Sequence, residues 1–238
     1  MNFNLIDSLK ESLQNASDET TRQSSQRYFK EKMDVYGVKA ARVKSIAQEY
    51  YFELKKEPKS EVFNHCEALF GSGKLEESFI ACHWCFKRKK EFLPEDFKLF
   101  ESWIDRYIKN WATCDTFCNQ SVGAFLLQYP EYLPELFRWA QSENLWMRRA
   151  AAVSLIVPAR KGLFYKEIMT IASLLLEDQE DMVQKGYGWL LKVNTNHYEE
   201  EVFNFVVKNK ANMPRTALRY AIEKMPPEMK AMAMKRDF

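Results

Sequence analysis

The sequence predicts an all-α protein, and three observations support this prediction. The seven glycines and eight prolines are together 15 of the 238 residues, about half of their usual share. An all-β sandwich or barrel needs turns at such residues every ~8–12 positions, and this chain has too few. Apolar residues recur at helical spacing almost throughout, and no alternating strand pattern competes with them. The length suits one domain, which we place at residues 1–238.

The helices can be followed along the chain by their apolar stripes and by the residues that separate them. Leu5, Leu9 and Leu13 form the first stripe. Gly37 separates two helical segments, and residues 71–73 (Gly-Ser-Gly) separate two more. Residues 142–144 (Ser-Glu-Asn) predict an N-cap for a helix from about Leu145. We expect about twelve to fourteen helices, mostly of about 10–18 residues.

Charge, hydropathy and cysteine content bear on the partners and the compartment. The 35 Lys and Arg residues and 33 Asp and Glu residues leave a net charge of +2, whereas nucleic-acid-binding domains are typically strongly basic. The first residues, MNFNLIDSLKESLQ, lack a secretory signal, and no stretch approaches the ~18 apolar residues of a membrane span. Five cysteines do not suggest a disulfide framework. We therefore expect a cytoplasmic protein.

A weak internal repeat indicates the kind of helical fold. Residues 146–153 resemble residues 182–189, and Arg149 and Lys185 are 36 positions apart. Looser copies occur at residues 79–82 and 215–218. A period of about 35–45 residues in a helical chain is typical of HEAT or armadillo-like solenoids, which present an extended concave face. The alternative is an ordinary helical bundle in which small residues recur by chance.

Residues 109–118, KNWATCDTFC, contain the most informative pattern. On one helix, a single face would hold Trp111, Cys114, Asp115, Cys118, Val122 and Phe125. Asp115 would then lie among core residues, where an ionised carboxylate is costly unless it is paired or put to use. The alternative makes Asp115 the N-cap of a helix that starts at Thr116.

Trp189 differs from the other tryptophans. Trp103 and Trp139 lie on amphipathic stripes and are expected in the core. Trp189 follows Gly186 and Gly188 inside a helical pattern, where each glycine costs about 1 kcal/mol. The space that the glycines leave suggests close approach by another helix or a ligand. An aromatic wall opposite a carboxylate suits a cationic group.

Two close cysteine pairs are candidates for metal binding: Cys82 with Cys85, and Cys114 with Cys118. The second spacing is unusual for a structural zinc site, and both pairs lie in helical patterns without knuckle turns. We therefore expect buried thiols and no metal. The sequence also has no Gly-rich phosphate loop.

Basic residues cluster locally although the net charge is small. The clusters are Lys39, Arg42 and Lys44; Lys87 to Lys90; Arg148 and Arg149; Arg160 and Lys161; and Lys185 and Lys192. Acidic runs lie elsewhere, at residues 177–181 and 199–201. This separation can build a positive face on a nearly neutral protein. The alternative is that each run is an ordinary solvated helix face.

Four segments together resemble the AlkD-type DNA alkylation-repair glycosylases in order and spacing. They are residues 27–30 leading into 37–39, Trp111 with Asp115, residues 144–151, and residues 184–189. The ordered set is fairly specific and spans about residues 20–225. The family often carries a second Trp and an Asp around the first site Trp, whereas Asn110 and Ala112 flank Trp111 here.

The resemblance implies a fold, an activity and a set of site residues. The fold is a stack of HEAT-like repeats that cradles duplex DNA on its concave face. The activity is hydrolysis of the N-glycosidic bond of cationic purines such as 3-methyladenine and 7-methylguanine, without a metal or redox cofactor, and we expect a monomer. The implied catalytic residues are Asp115, Trp111 and Trp189. The implied DNA contacts are Arg149, Lys192, Tyr28 and Lys39, to which we add Arg148 and Lys185 because they recur with the repeat.

Two other functions stay open from the sequence. Related HEAT-like proteins lack glycosylase activity and bind branched or distorted DNA, which would use the same face. Helical-repeat arrays also serve as protein–protein scaffolds. A fold alone does not separate these functions, so the site residues must.

Overall fold

The structure, a computed structural model, describes residues 3–30 and 32–235 of the chain. All regular elements in this part of the chain are α-, 3₁₀- or π-helices, and none is a strand. This confirms the all-α prediction. The chain divides into two compact units, Met1–Phe117 and Cys118–Phe238. The single domain predicted for residues 1–238 stays a prediction.

The first unit contains seven α-helices within the described residues. They are α1 (Phe3–Asn15), α2 (Glu19–Gln26), α3 (Ala40–Leu54), α4 (Lys59–Gly71), α5 (Leu75–Lys87), α6 (Asp96–Tyr107) and α7 (Trp111–Phe117), with a 3₁₀ turn at Lys89–Glu91. Helices α3, α5 and α7 pack side by side, and α4 packs against α5 and α6. Between them lies an aromatic core in which Trp103 is fully buried, 5.4 Å from Phe70 and 5.6 Å from Phe63 between ring centroids.

The second unit begins with a π-helical segment, Cys118–Val122. Its α-helices are α8 (Gly123–Gln128), α9 (Leu133–Trp139), α10 (Leu145–Val153), α11 (Ile156–Ala159), α12 (Tyr165–Leu174), α13 (Asp181–Asn194), α14 (Glu199–Asn209), α15 (Arg215–Ala221) and α16 (Pro227–Met234), with a 3₁₀ turn at Pro130–Tyr132. Helices α10, α13 and α15 form a second row, and α12 packs against α9 and α13. Asn144 caps α10 as predicted, because its side chain accepts a hydrogen bond from the Trp146 backbone N–H at 2.9 Å.

The weak repeat coincides with these two rows. Its four segments lie on α5, α10, α13 and α15, respectively, and all four helices belong to a row of packed helices. The recurring small residues allow close packing at these positions. The structure therefore has the helical-repeat fold that the sequence predicted.

The described residues form sixteen α-helices, more and shorter ones than the sequence predicted. Proline accounts for part of this difference, since it is tolerated in the first turn of a helix but disrupts its interior. Pro134 lies in the first turn of α9, and Pro158 lies in the four-residue α11. None of the described helices combines the length and the apolar content that crossing a membrane requires.

Candidate functional site

Asn110 fixes the start of helix α7. Its side-chain oxygen accepts a hydrogen bond from the Thr113 backbone N–H at 2.9 Å, which is the bond that an N-cap residue makes. Because α7 begins at Trp111, Asp115 lies inside the helix. The alternative in which Asp115 caps a helix from Thr116 is therefore wrong.

Trp111 and Asp115 lie one helical turn apart on α7. Both are partly exposed, whereas the three residues between them are buried. Cys114, the neighbour of Asp115, is fully buried. The structure thus corrects the expectation that Asp115 lies among core side chains: it stands at the rim of the core beside Trp111, where a carboxylate keeps access to solvent.

The chain segment before α3 fixes the indole of Trp111. The indole N–H donates a hydrogen bond to the backbone oxygen of Tyr28 at 3.2 Å. The ring of Phe29 stacks on the indole, with 5.7 Å between centroids and 26° between planes. Tyr28 itself is 72% exposed, so its ring and hydroxyl are accessible to a ligand.

Lys39 lies at the N-cap position of α3, where the chain segment that contains Tyr28 and Phe29 ends. It is exposed. Hydrogen bonds from Thr21 lower the pKa of Asp18, and the positive charge of Lys39 lowers it further. Lys39 therefore presents its charge at the surface of the first unit, near the start of α2.

In the second unit, α13 presents a stripe of partly exposed side chains. Lys185, Trp189 and Lys192 follow one another at spacings of four and three residues, so they share one side of the helix. Both lysines form ion pairs: Lys185 with Asp181 at 2.7 Å, and Lys192 with Glu223 at 2.9 Å. Trp189 thus lies between two paired cations.

Arg149 is buried, with 5% of its surface exposed. Its guanidinium donates a hydrogen bond to the backbone oxygen of Met182. A Cβ at Gly186 would lie 3.3 Å from Arg149 Cγ, and one at Gly188 would lie 2.8 Å from the Ala217 backbone oxygen. The close approach that the sequence predicted beside Trp189 is therefore that of Arg149 and of helix α15.

Arg148 is committed to contacts within its own unit. Its guanidinium binds Asp178 with nitrogen–oxygen distances of 2.6 and 3.3 Å and also donates to the backbone oxygen of Ser142. Asp178 and Asp181 both belong to the acidic run at 177–181. The expected separation of that run from the basic residues is wrong, because Arg148 and Lys185 bind its carboxylates directly.

The model of a family described as DNA alkylation repair enzyme matches residues 9–225. The chain belongs to the DNA alkylation repair enzyme family. Membership confirms the resemblance and assigns the chain to the repair of alkylated DNA, a role that implies DNA binding.

A solved structure agrees with the fold of this family. A structure described as a predicted DNA alkylation repair enzyme from Enterococcus faecalis superimposes with a TM-score of 0.79. The match covers 89% of this chain and 97% of that one at 17% sequence identity. At this identity the likeness concerns the fold. Among curated proteins, none matches the sequence.

The cysteines of this family member are buried thiols. All five cysteines lie within the described residues, and none forms a disulfide. Burial raises the pKa of the Cys66 and Cys82 thiols well above the usual value, which disfavours the thiolate that metal binding needs. Among the described residues, no group of three or more His, Cys, Asp or Glu side chains could hold a metal ion.

Apart from Lys39 and Arg148, the predicted site residues fall into one group in each unit. Tyr28, Trp111 and Asp115 come together in the first unit through α7 and the segment that contacts it. Arg149, Lys185, Trp189 and Lys192 lie on α10 and α13 in the second. The catalytic and DNA-binding roles given to these residues stay predictions.

Two residues that shape the site were missed by the sequence analysis. Asn110 could have been identified as the cap of α7, because Asn is among the preferred N-cap residues and directly precedes Trp111. Nothing in the sequence indicates that Phe29 stacks on Trp111, since the two residues are more than eighty positions apart in the chain.

Proposed function

We propose that this protein is a monofunctional DNA glycosylase that hydrolyses the N-glycosidic bond of alkylated, cationic purines in duplex DNA. One observation carries the proposal: Trp111 and Asp115 stand one turn apart at the partly exposed rim of α7, and the indole is held in place by Tyr28 and Phe29. A carboxylate beside a fixed aromatic ring suits a positively charged reacting group.

Asp115 is proposed to stabilise the sugar as the glycosidic bond breaks. An alkylated purine carries a positive charge and leaves as a neutral base, so the reaction needs no strong general acid. Positive charge develops instead on the deoxyribose, in an oxocarbenium-like transition state. A preorganised carboxylate stabilises this charge and can hold the attacking water.

Trp111 is proposed to contact the deoxyribose, and Trp189 is proposed to contact DNA; the π face of an aromatic ring favours positive charge. The hydrogen bond to the Tyr28 backbone oxygen and the stack on Phe29 keep the Trp111 ring in one orientation. Trp189 enters the proposal because of the family resemblance and its partly exposed place on α13.

The proposed DNA contacts differ in how readily they could reach a phosphate. Tyr28 and Lys39 are exposed. Lys185 and Lys192 would exchange a carboxylate partner for a phosphate. Arg149 is buried and donates to the Met182 backbone oxygen, and Arg148 would have to leave Asp178. We therefore expect these two arginines to reach a phosphate least readily. The monomeric state and the cytoplasmic location stay predictions.

The test is release of free base from methylated duplex DNA. We expect the wild-type protein to release 3-methyladenine or 7-methylguanine and to leave abasic sites, and we expect Asp115→Asn to abolish most of this release. Equal release by the two proteins would contradict the proposal. DNA binding without base release by the wild type would instead support a non-catalytic binder of damaged or branched DNA.

A further inference from the structure

Glu76 binds three consecutive backbone N–H groups with one carboxylate. Its Oε1 accepts from Gly37 at 2.8 Å and from Val38 at 3.1 Å, and its Oε2 accepts from Tyr36 at 3.1 Å. Residues 32–39 form neither helix nor strand. Their N–H groups therefore lack the partners that a regular element supplies, and buried N–H groups need such partners. Glu76 supplies them from the first turn of α5, where it is itself buried.

Further hydrogen bonds fix the same segment from both sides. The Gly37 carbonyl accepts from the Asp18 N–H at 2.9 Å, and the Asp34 carbonyl accepts from the Leu75 N–H at 3.0 Å. Gly37 has a φ of +86°, and a Cβ there would lie 2.7 Å from the Asp18 backbone oxygen. The backbone thus approaches α2 closely only because residue 37 is glycine.

Val35 connects this anchored segment to Trp111. It lies between Asp34, which Leu75 holds, and Tyr36, which Glu76 holds. Its side chain forms a buried cluster with Leu75 and Ala112, and Trp111 packs against that cluster. The position of Val35 therefore sets part of the surface on which the indole rests.

We propose that Glu76 is a positioning residue for Trp111: by anchoring Tyr36, Gly37 and Val38 it holds Val35 in the cluster that supports the indole. This inference rests on the proposed function and extends it to a side chain that lies beneath the site rather than on its surface. Glu76 acts through packing, so its loss changes the orientation of Trp111 before it changes the affinity for DNA.

Glu76→Gln tests this inference. A glutamine has one accepting oxygen where the carboxylate has two, so at least one of the three N–H groups would face an amide NH₂. In protein labelled with 5-fluorotryptophan, we expect the fluorine signal of Trp111, assigned with Trp111→Phe, to shift or broaden. We expect the single-turnover rate of base release to fall by about tenfold to a hundredfold, since small displacements of site groups have effects of this size. The Kd for DNA should change far less.

Glu77→Gln is the matched control. Glu77 is the next residue of α5 and is fully buried. Its Oε1 accepts a hydrogen bond from the Tyr36 hydroxyl at 2.7 Å, and its Oε2 lies 4.0 Å from the Nζ of Lys10. A glutamine oxygen can still accept that bond, so the Trp111 signal and the rate should stay at their wild-type values. Unchanged signals in both variants, or equal shifts in both, would overturn the proposal.

Val35→Ala supplies a second route if Glu76→Gln does not fold. It removes two methyl groups from the cluster beneath Trp111 and leaves every hydrogen bond of the segment in place. We expect the same displaced fluorine signal, and a wild-type signal would overturn the proposal. The fluorine measurement needs no substrate, so the two proposals can fail separately. Failure of the positioning role would appear as an unchanged fluorine signal, and failure of the glycosylase proposal would appear as absent base release.

Discussion

Gly188 lies where helix α13 touches helix α15. A Cβ at this position would lie 2.7 Å from the Tyr220 Cβ and 2.8 Å from the Ala217 backbone oxygen. We expect Gly188→Ala to lower the free energy of unfolding by about 1–3 kcal/mol, because overpacking of a fixed contact outweighs the gain in helix propensity. Urea denaturation followed by circular dichroism measures this change.

Gly71→Ala is the control for this prediction. Gly71 also lies in a helix, α4, but the nearest atom to an added Cβ is Tyr107 Cε1 at 3.8 Å, an ordinary contact. Its stability should be unchanged or slightly higher. An equal loss in the two variants would contradict the assignment of the loss to the contact between α13 and α15, because helix propensity alone favours alanine at both positions.

At the scale of single elements, α4 and α5 each carry a histidine whose protonation opposes folding. The Nε2 atoms of His65 and His83 are buried and make no hydrogen bond. Burial lowers the pKa of both side chains, and for His83 the charges of Lys87 and Lys44 lower it further. Between the unfolded pKa of about 6.5 and these lower folded values, the unfolded chain binds more protons than the folded one.

Stability should therefore decrease as the pH falls from 7.5 to 5.5. Replacing both histidines by glutamine should flatten this dependence, as measured by urea denaturation at each pH. His197→Gln, at an exposed position of the second unit, serves as the control and should keep the wild-type slope. A double variant that keeps that slope as well would contradict the assignment to His65 and His83.

The elements also show how far a sequence can predict this fold and site. Apolar spacing and scarce glycine identify helices, and Asn144 marks the start of α10, because these signals are local in the chain. The segment at residues 32–39 has no such signal. It is held by Glu76, about forty positions away, so only the folded structure reveals its partner. Trp111 and Asp115 were identifiable; what orients the indole was not.

For the whole molecule, the net charge of +2 does not show which cations are paired with carboxylates. Several cations that the sequence assigned to DNA already bind carboxylates of their own unit, as Arg148 binds Asp178 and Lys192 binds Glu223. A count of basic residues along the chain could not reveal this pairing. We therefore expect DNA affinity to depend on which lysines can reach phosphate groups.

Lys39→Gln tests this dependence. Each phosphate contact adds about 0.9 to the slope of log K against log salt concentration on duplex DNA. We expect the wild-type affinity to fall with salt and Lys39→Gln to reduce the slope by about 1, measured by fluorescence anisotropy. Lys98→Gln, at an exposed lysine of α6, should leave the slope unchanged. Equal slopes in all three proteins would remove Lys39 from the DNA contacts.

Asp115 is proposed to act on the reacting sugar. The most direct measurement is the single-turnover rate of base release from duplex DNA that contains 7-methylguanine, with Kd measured alongside. Asp115→Asn should lower the rate by about a hundredfold or more and leave Kd nearly unchanged, while Asp7→Asn, at an exposed position of α1, should match the wild type. An Asp115→Asn rate equal to that of the wild type would show that Asp115 does not act on the sugar.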